Sequence, residues 1–325
     1  MQVGLAACRS VIDRLLTSLE PSVRWRLRAE VRGDAASAAL REEIRSSPRV
    51  VTLLSDRRED GSIPFHPYAK WRGAHWCLAL LAELGYPSGD TSLIPLREQV
   101  LAWLLSDAYE KRWLPKRSGL CRMHASQDAN AVWYLLKLGL DDERVDRLVD
   151  RLLDAQWPDG GWNCDPRSGA HTSSFEETLI PLRALAFFAQ RRSSANVRHA
   201  AECATEVFLS RGLYRRRSDG LPLAERFLQL AYPRYWHYDI LFGLTVLAEA
   251  GYLDDPCCHE ALDLLEAKRL PDGGFPAEKR YYRSATARSN ASLVDWGGTS
   301  GRRSNDWVSA DALAVISSAK RLSVR

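Results

Sequence analysis

No stretch of this sequence approaches the roughly 18 uninterrupted apolar residues that a membrane-crossing helix requires, so no spanning segment is expected. The N-terminal stretch is amphipathic, and Arg9, Asp13 and Arg14 interrupt any signal-peptide core. Charge of one sign is missing too: 45 Lys and Arg stand against 41 Asp and Glu, a formal net of +4. The basic residues are scattered among acids except at Arg215, Arg216 and Arg217, a pattern that argues against a nucleic-acid partner. Cysteine is too sparse for a disulfide framework. The seven thiols include no Cys-x-x-Cys pair, and most fall in helical patterns (Cys8, Cys77, Cys203, Cys257, Cys258). Reduced thiols and a cytoplasmic location are the expectation.

Tryptophan, by contrast, is plentiful. Eleven indoles suit a deep aromatic cavity or bulky packing between helices. Internal repetition is also plain. Segments 78–86 (LALLAELGY), 132–140 (VWYLLKLGL) and 244–252 (LTVLAEAGY) are apolar helices, each stopped by a glycine suited to a left-handed helix end. Gly85 and Gly139 lie 54 residues apart, and Gly139 and Gly251 lie 112 apart, leaving room for a fourth unit over about 173–190. Amphipathic partner helices are predicted at about 92–106, 142–156, 194–210 and 257–268. Two turns match closely: Gln156-Trp-Pro-Asp-Gly-Gly-Trp162 and Arg269-Leu-Pro-Asp-Gly-Gly-Phe275. Asp-Gly makes a tight turn because glycine accepts positive φ and the aspartate bonds its own backbone. The apolar helices are hydrophobic nearly all round, as an inner layer should be, and polar capping repeats are lacking. The expectation is therefore an all-α protein, an (α/α) toroid of about five to six hairpins. It forms a single domain over 1–325, with outer helices in 1–50 and the repeats in 51–325.

The Gln-x-Pro-Asp-Gly-Gly-Trp run, with the helix start His171-Thr-Ser-Ser-Phe-Glu-Glu177 after it and its echo at Pro271–Phe275, resembles the QW repeats of the squalene cyclase and prenyltransferase superfamily. The resemblance covers roughly 50–320. The chain is also similar to bacterial stand-alone toroid proteins, in which segments such as Ser126-Gln127, Trp162-Asn163-Cys164-Asp165 and Trp236-His237-Tyr238-Asp239 are typical. The resemblance implies a terpenoid cyclase-like enzyme, an isomerase or transferase, acting on an apolar or isoprenoid-type substrate. The departures are specific. There is no Asp-x-Asp-Asp proton donor, and Asp141-Asp142 and Asp254-Asp255 read as surface turns. No Asp-x-Cys opens an inner helix, as the zinc site of protein prenyltransferases requires, and the thioester motif Gly-Cys-Gly-Glu-Gln is absent. Cys257-Cys258-His259 opens an outer helix, away from any cavity.

The N-termini of the inner helices share one mouth of such a ring, where unpaired N–H groups and the helix dipoles favour anions. Polar and aromatic residues gather at these starts: Lys70, Trp71, Arg72, His75 and Trp76; His124, Gln127 and Asp128; His171, Ser173, Ser174, Glu176 and Glu177; Trp236, His237, Tyr238 and Asp239; Asp306, Trp307 and Asp311. Capping accounts for part of this, and Ser173 or Ser174 with Glu176 or Glu177 fits a capping box. Capping does not account for four of the seven histidines falling there. The leading expectation is acid catalysis in a dry aromatic cavity, where burial raises a carboxyl pKa and ring faces steady a cation. Asp239 is the first-choice acid, with His237 its relay and Asp128, Glu176, His171 and Asp306 in reserve. Trp76, Trp236, Tyr238, His75 and Trp307 would line the site, while Lys70 and Arg72 would hold a diphosphate. No cofactor is expected, although a divalent metal on His171, His237, His75, Asp239 and Glu176 stays open. So do a His237-Tyr238 lyase and a non-catalytic ligand or partner cradle. The partner is a small molecule, and the sequence is silent on oligomeric state.

Overall fold

The computed structural model describes residues 10–35, 37–111, 114–117 (backbone only) and 120–322. Two short helices, α1 (over 10–16) and α2 (Pro21–Arg26, continued by a wider turn Leu27–Arg32), open the described chain. They are followed by α3 (Ala38–Arg45), α4 (Pro48–Leu53), α5 (Ala74–Glu83), α6 (Ile94–Leu104) and α7 (Asp107–Glu110). A two-stranded antiparallel ladder, Leu114–Arg117 with Leu120–Arg122, precedes α8 (Ala125–Leu138) and α9 (Arg144–Ala155). Then come α10 (Phe175–Arg192), α11 (Ala195–Leu209), α12 (Ile240–Ala250), α13 (His259–Ala267) and α14 (Asp306–Ser318).

Hydrophobic patterning sorts these helices into two layers. Every residue of α12 from Ile240 to Leu247 is buried, whereas α9 buries only the stripe Val145, Leu148, Val149, Leu152 and Ala155. The all-apolar helices therefore need neighbours on every side, and the striped ones need a single apolar face. Accordingly α5, α8, α10, α12 and α14 pack side by side in chain order, with α6, α9, α11 and α13 on the outside of the first four. Ring closure departs from the expectation that residues 1–50 lie in the outer layer. The α2 segment is an inner member, packed against α14, and Arg26 reaches across to the Glu83 carbonyl at the end of α5 at 3.1 Å. Its sequence is short, and Arg24, Arg26, Arg28, Glu30 and Arg32 interrupt it, so no apolar inner-helix pattern marks it. The glycine stops hold at all three positions, with φ of 76° at Gly85, 62° at Gly139 and 86° at Gly251.

The paired Asp-Gly-Gly turns bolt an outer helix to the start of the next inner helix. In the first, Trp157 N–H donates to the Gly161 carbonyl (2.8 Å) and the Trp162 indole donates to the Leu152 carbonyl (3.0 Å). Asp159 accepts from Ser173 N–H (2.8 Å), while Trp162 N–H donates to Thr178 Oγ1 (3.1 Å). The second copy repeats the scheme: Asp272 accepts from the Ser304 hydroxyl (2.7 Å), and Phe275 N–H donates to Ser309 Oγ (2.8 Å). At Gly160 the backbone sits at φ 96°, and a Cβ would run into the backbone carbonyl of Cys203. Gly160→Ala is expected to destabilise by at least about 2 kcal/mol, read by denaturant unfolding. Gly89→Ala is the control, since Gly89 has φ 82° but open space around it. Its cost should be backbone strain alone.

Candidate functional site

The centre of the ring is charged. Arg183, nearly inaccessible, donates to Glu249 at 2.5 and 2.6 Å, pairs with Glu83, and lies 3.7 Å over the Trp133 ring. Arg26 pairs with Asp311, and Arg234 donates to the other Asp311 oxygen at 2.6 Å. Ala79, Leu80, Asn130, Ile180, Tyr232 and Phe242 complete the walls together with Glu83, Arg183 and Arg234. The space left is about 30 Å³. That is water-sized, whereas drug-sized ligands occupy roughly 300–1,000 Å³. The same ion pairs also line two larger spaces, of about 150 Å³ beside Arg183 and Glu249 and about 280 Å³ beside Arg26 and Asp311, so charges stand where an aromatic lining was expected.

Several predicted site residues belong to the framework. Asp239 caps α12: one oxygen accepts from Phe242 N–H (2.7 Å), the other from Ala231 N–H (3.0 Å), with Arg234 Nε 3.5 Å away. Burial raises its pKa, opposed by Arg234 and the two amides, and the group is 1% exposed. Tyr238 points to the outer layer, where its hydroxyl donates to the Leu213 carbonyl (2.5 Å) among Phe175, Phe208 and Phe227. That removes the His237-Tyr238 lyase pair. Asp128 faces outward to Arg151 on α9 (3.0 Å). Burial, partly offset by Arg151 and Tyr109, pushes its carboxyl up to about 7. His75 is sealed between Tyr134 and Asn130, and burial drives it down to about 3, which leaves it neutral. Arg72 does not wait for a diphosphate: it donates to both Asp56 oxygens at 2.7 and 2.5 Å. Trp76 is buried, its indole donating to the Tyr68 carbonyl at 3.3 Å. His171 is exposed. Asp306, paired with Arg14 at 2.8 Å, lines a separate open groove with Trp307, whose ring lies under Arg49. The five residues considered for a metal do not converge among the described residues.

Two groups do form at the mouth where the inner helices begin. The first is an aromatic wall. His237 is stacked between Trp236 (centroids 4.0 Å apart) and Tyr281 (3.4 Å). Lys70 lies 5.3 Å from the centroids of both Trp71 and Trp236. Burial lowers the Lys70 pKa, and among the described residues no carboxylate pairs with it. Trp236 Nε1 and the Tyr281 hydroxyl are buried without a partner. Burial also takes His237 down to about 3, its Nδ1 lying 3.0 Å from the Arg234 carbonyl. Glu176 pairs with Arg226 at 3.2 Å and contributes to the field at Tyr281.

The second group was not singled out from the sequence. His124, Cys164 and Glu177 bring one nitrogen, one sulfur and one oxygen within 4.8 Å of one another. Glu177 is buried. Its Oε1 lies 3.2 Å from His124 Nδ1, and its Oε2 accepts from Ser126 N–H at 3.0 Å. The predicted capping box is therefore not made: Ser174 is the N-cap without a side-chain bond, and Glu177 reaches across to α8 instead. Two signals were available, His124 at an inner-helix start and Cys164 beside the first Asp-Gly-Gly turn. The sequence could not tell Glu176 from Glu177, which point about 100° apart on a helix.

Fold and mouth together define an α/α toroid with its polar and aromatic side chains gathered at the inner-helix starts. No family model matches the sequence, and no curated protein matches it. Among solved structures, two of the type II terpene cyclase MstE from Scytonema are similar in helix arrangement. A ligand-free Tyr-to-Phe variant shares 13% identity over 99% of this chain and 97% of that chain, with a TM-score of 0.44. An Asp-to-Asn variant in complex with its substrate, geranylgeranyl dihydroxybenzoate, shares 14% over the same shares of each chain, with a TM-score of 0.45. No residue role is transferred from either.

Proposed function

We propose that this protein is a terpenoid cyclase-like enzyme that works at the N-terminal mouth of its ring rather than at its centre. The substrate is a small molecule with an apolar, isoprenoid-type body and an anionic head. The observation that carries this reading is Lys70, a half-buried ammonium held over two indoles with no carboxylate partner among the described residues. Beside it, Trp236 Nε1 and the Tyr281 hydroxyl are unpaired donors. A buried donor without a partner costs about 1–3 kcal/mol, which an oxygen-rich head group offsets. The Trp71, Trp236 and Tyr281 faces take the hydrocarbon and suit a developing cation.

The test is calorimetric titration with farnesyl and geranylgeranyl diphosphate, alongside product analysis by mass spectrometry. Lys70→Ala is expected to weaken binding by roughly 10- to 100-fold, the worth of a charged hydrogen bond. Because burial lowers the Lys70 pKa, affinity should fall off on the alkaline side at a lower pH than an ordinary lysine would give. Unchanged affinity in Lys70→Ala would sink the assignment of the head-group site.

A further inference from the structure

The His124, Cys164 and Glu177 group is not used by the reading above. It joins three chain segments: the residue before α8, the loop after the first Asp-Gly-Gly turn, and the first turn of α10. Two chemistries could use a thiol, an imidazole and a carboxylate. In a nucleophile–base–orienter relay, the carboxylate and the sulfur bind opposite nitrogens of the ring. Here the sulfur and His124 Nδ1 both turn to the same Glu177 carboxylate. Convergence of N, S and O donors on one point is instead what a metal requires.

We infer that His124, Cys164 and Glu177 form a binding site for a divalent metal of the zinc type. The nitrogen–oxygen spacing fits such a centre. Two ligand atoms, each about 2.0 Å from a tetrahedral centre, stand about 3.3 Å apart, and His124 Nδ1 and Glu177 Oε1 are 3.2 Å apart. A mixed imidazole, thiolate and carboxylate set suits zinc or cobalt rather than magnesium or calcium. Glu177 is already held by Ser126 N–H, the outer support a metal-binding carboxylate needs. Three protein ligands leave a fourth position for water or a substrate group. Binding converts the Cys164 thiol to a metal thiolate and releases its proton to solvent.

The experiment is titration of the metal-stripped full-length protein with cobalt(II), followed by zinc competition. Absorption in the thiolate-to-cobalt charge-transfer band is read, with elemental analysis for stoichiometry. One cobalt per chain is expected, with a band that zinc abolishes. Cys164→Ser should lose the band. His124→Ala, at a side chain 61% exposed, should bind at least about tenfold more weakly, with its folding checked by circular dichroism. No band in the unmodified protein, or a band and affinity unchanged in either variant, would overturn the site. This inference stands apart from the isoprenoid reading. Cobalt binding without isoprenoid binding overturns only the latter, and isoprenoid binding without a cobalt band overturns only the metal.

Discussion

Replacing Arg183 with Met is expected to cost about 3–5 kcal/mol of folding stability, the usual penalty for breaking a buried ion pair from one side. Arg183 is the hub of the ring. It bridges Glu83 on α5 and Glu249 on α12 from its own place on α10, and it stacks on Trp133 of α8. Removing it strands Glu83 with Arg26 as its remaining partner on this side. Burial alone would raise the Glu83 pKa, but Arg183, Arg26 and Arg234 outweigh it and hold the carboxyl down to about 2. A carboxyl depressed below its unfolded value adds stability above that unfolded value, and the contribution is lost as pH falls through the folded one. The gap between Arg183→Met and the unmodified protein should therefore be widest near neutrality and narrow below about pH 4. Denaturant unfolding across pH checks both the size and the trend. Glu249→Gln, at a side chain 41% exposed, should cost only about 1 kcal/mol.

Asp239→Ala is expected to cost about 3 kcal/mol in the absence of any ligand. The change removes an N-cap worth about 1 kcal/mol and orphans the buried Ala231 N–H at about 1–3 kcal/mol. It also leaves Arg234 with Asp311 as its only ion-pair partner among the described residues. Asp239→Asn should lie in between, because an amide oxygen can serve one of the two backbone donors while its NH₂ group opposes the other. Thermal unfolding and isoprenoid turnover should be measured on the same preparations. Full stability with abolished turnover would restore Asp239 as the acid. Lost stability is what a cap predicts.

Asp239 also shows where reading a sequence stops. An aspartate before an apolar helix, next to Trp and His, fits a reactive acid and a cap equally well. Only the positions of Ala231 and Phe242 N–H decide between them, and Ala231 sits eight residues away in an irregular loop. The same holds for Arg72, whose partner Asp56 lies sixteen residues back in the chain, and for Tyr238, whose hydroxyl is claimed by Leu213. Helix starts were legible, but the direction each side chain takes from them was not.

The layers, the hairpin period, the glycine stops and the two bolting turns were determined by the sequence itself. Each rests on local chemistry: apolar periodicity, positive φ, and an aspartate that bonds nearby backbone. Tertiary structure alone decided that α2 closes the ring and that charges fill its centre. It alone brought His124, Cys164 and Glu177 together from positions up to 53 residues apart. These are encounters between distant segments. The partner that satisfies a buried polar group is set by the packing of whole helices, and no period or spacing in the chain records it.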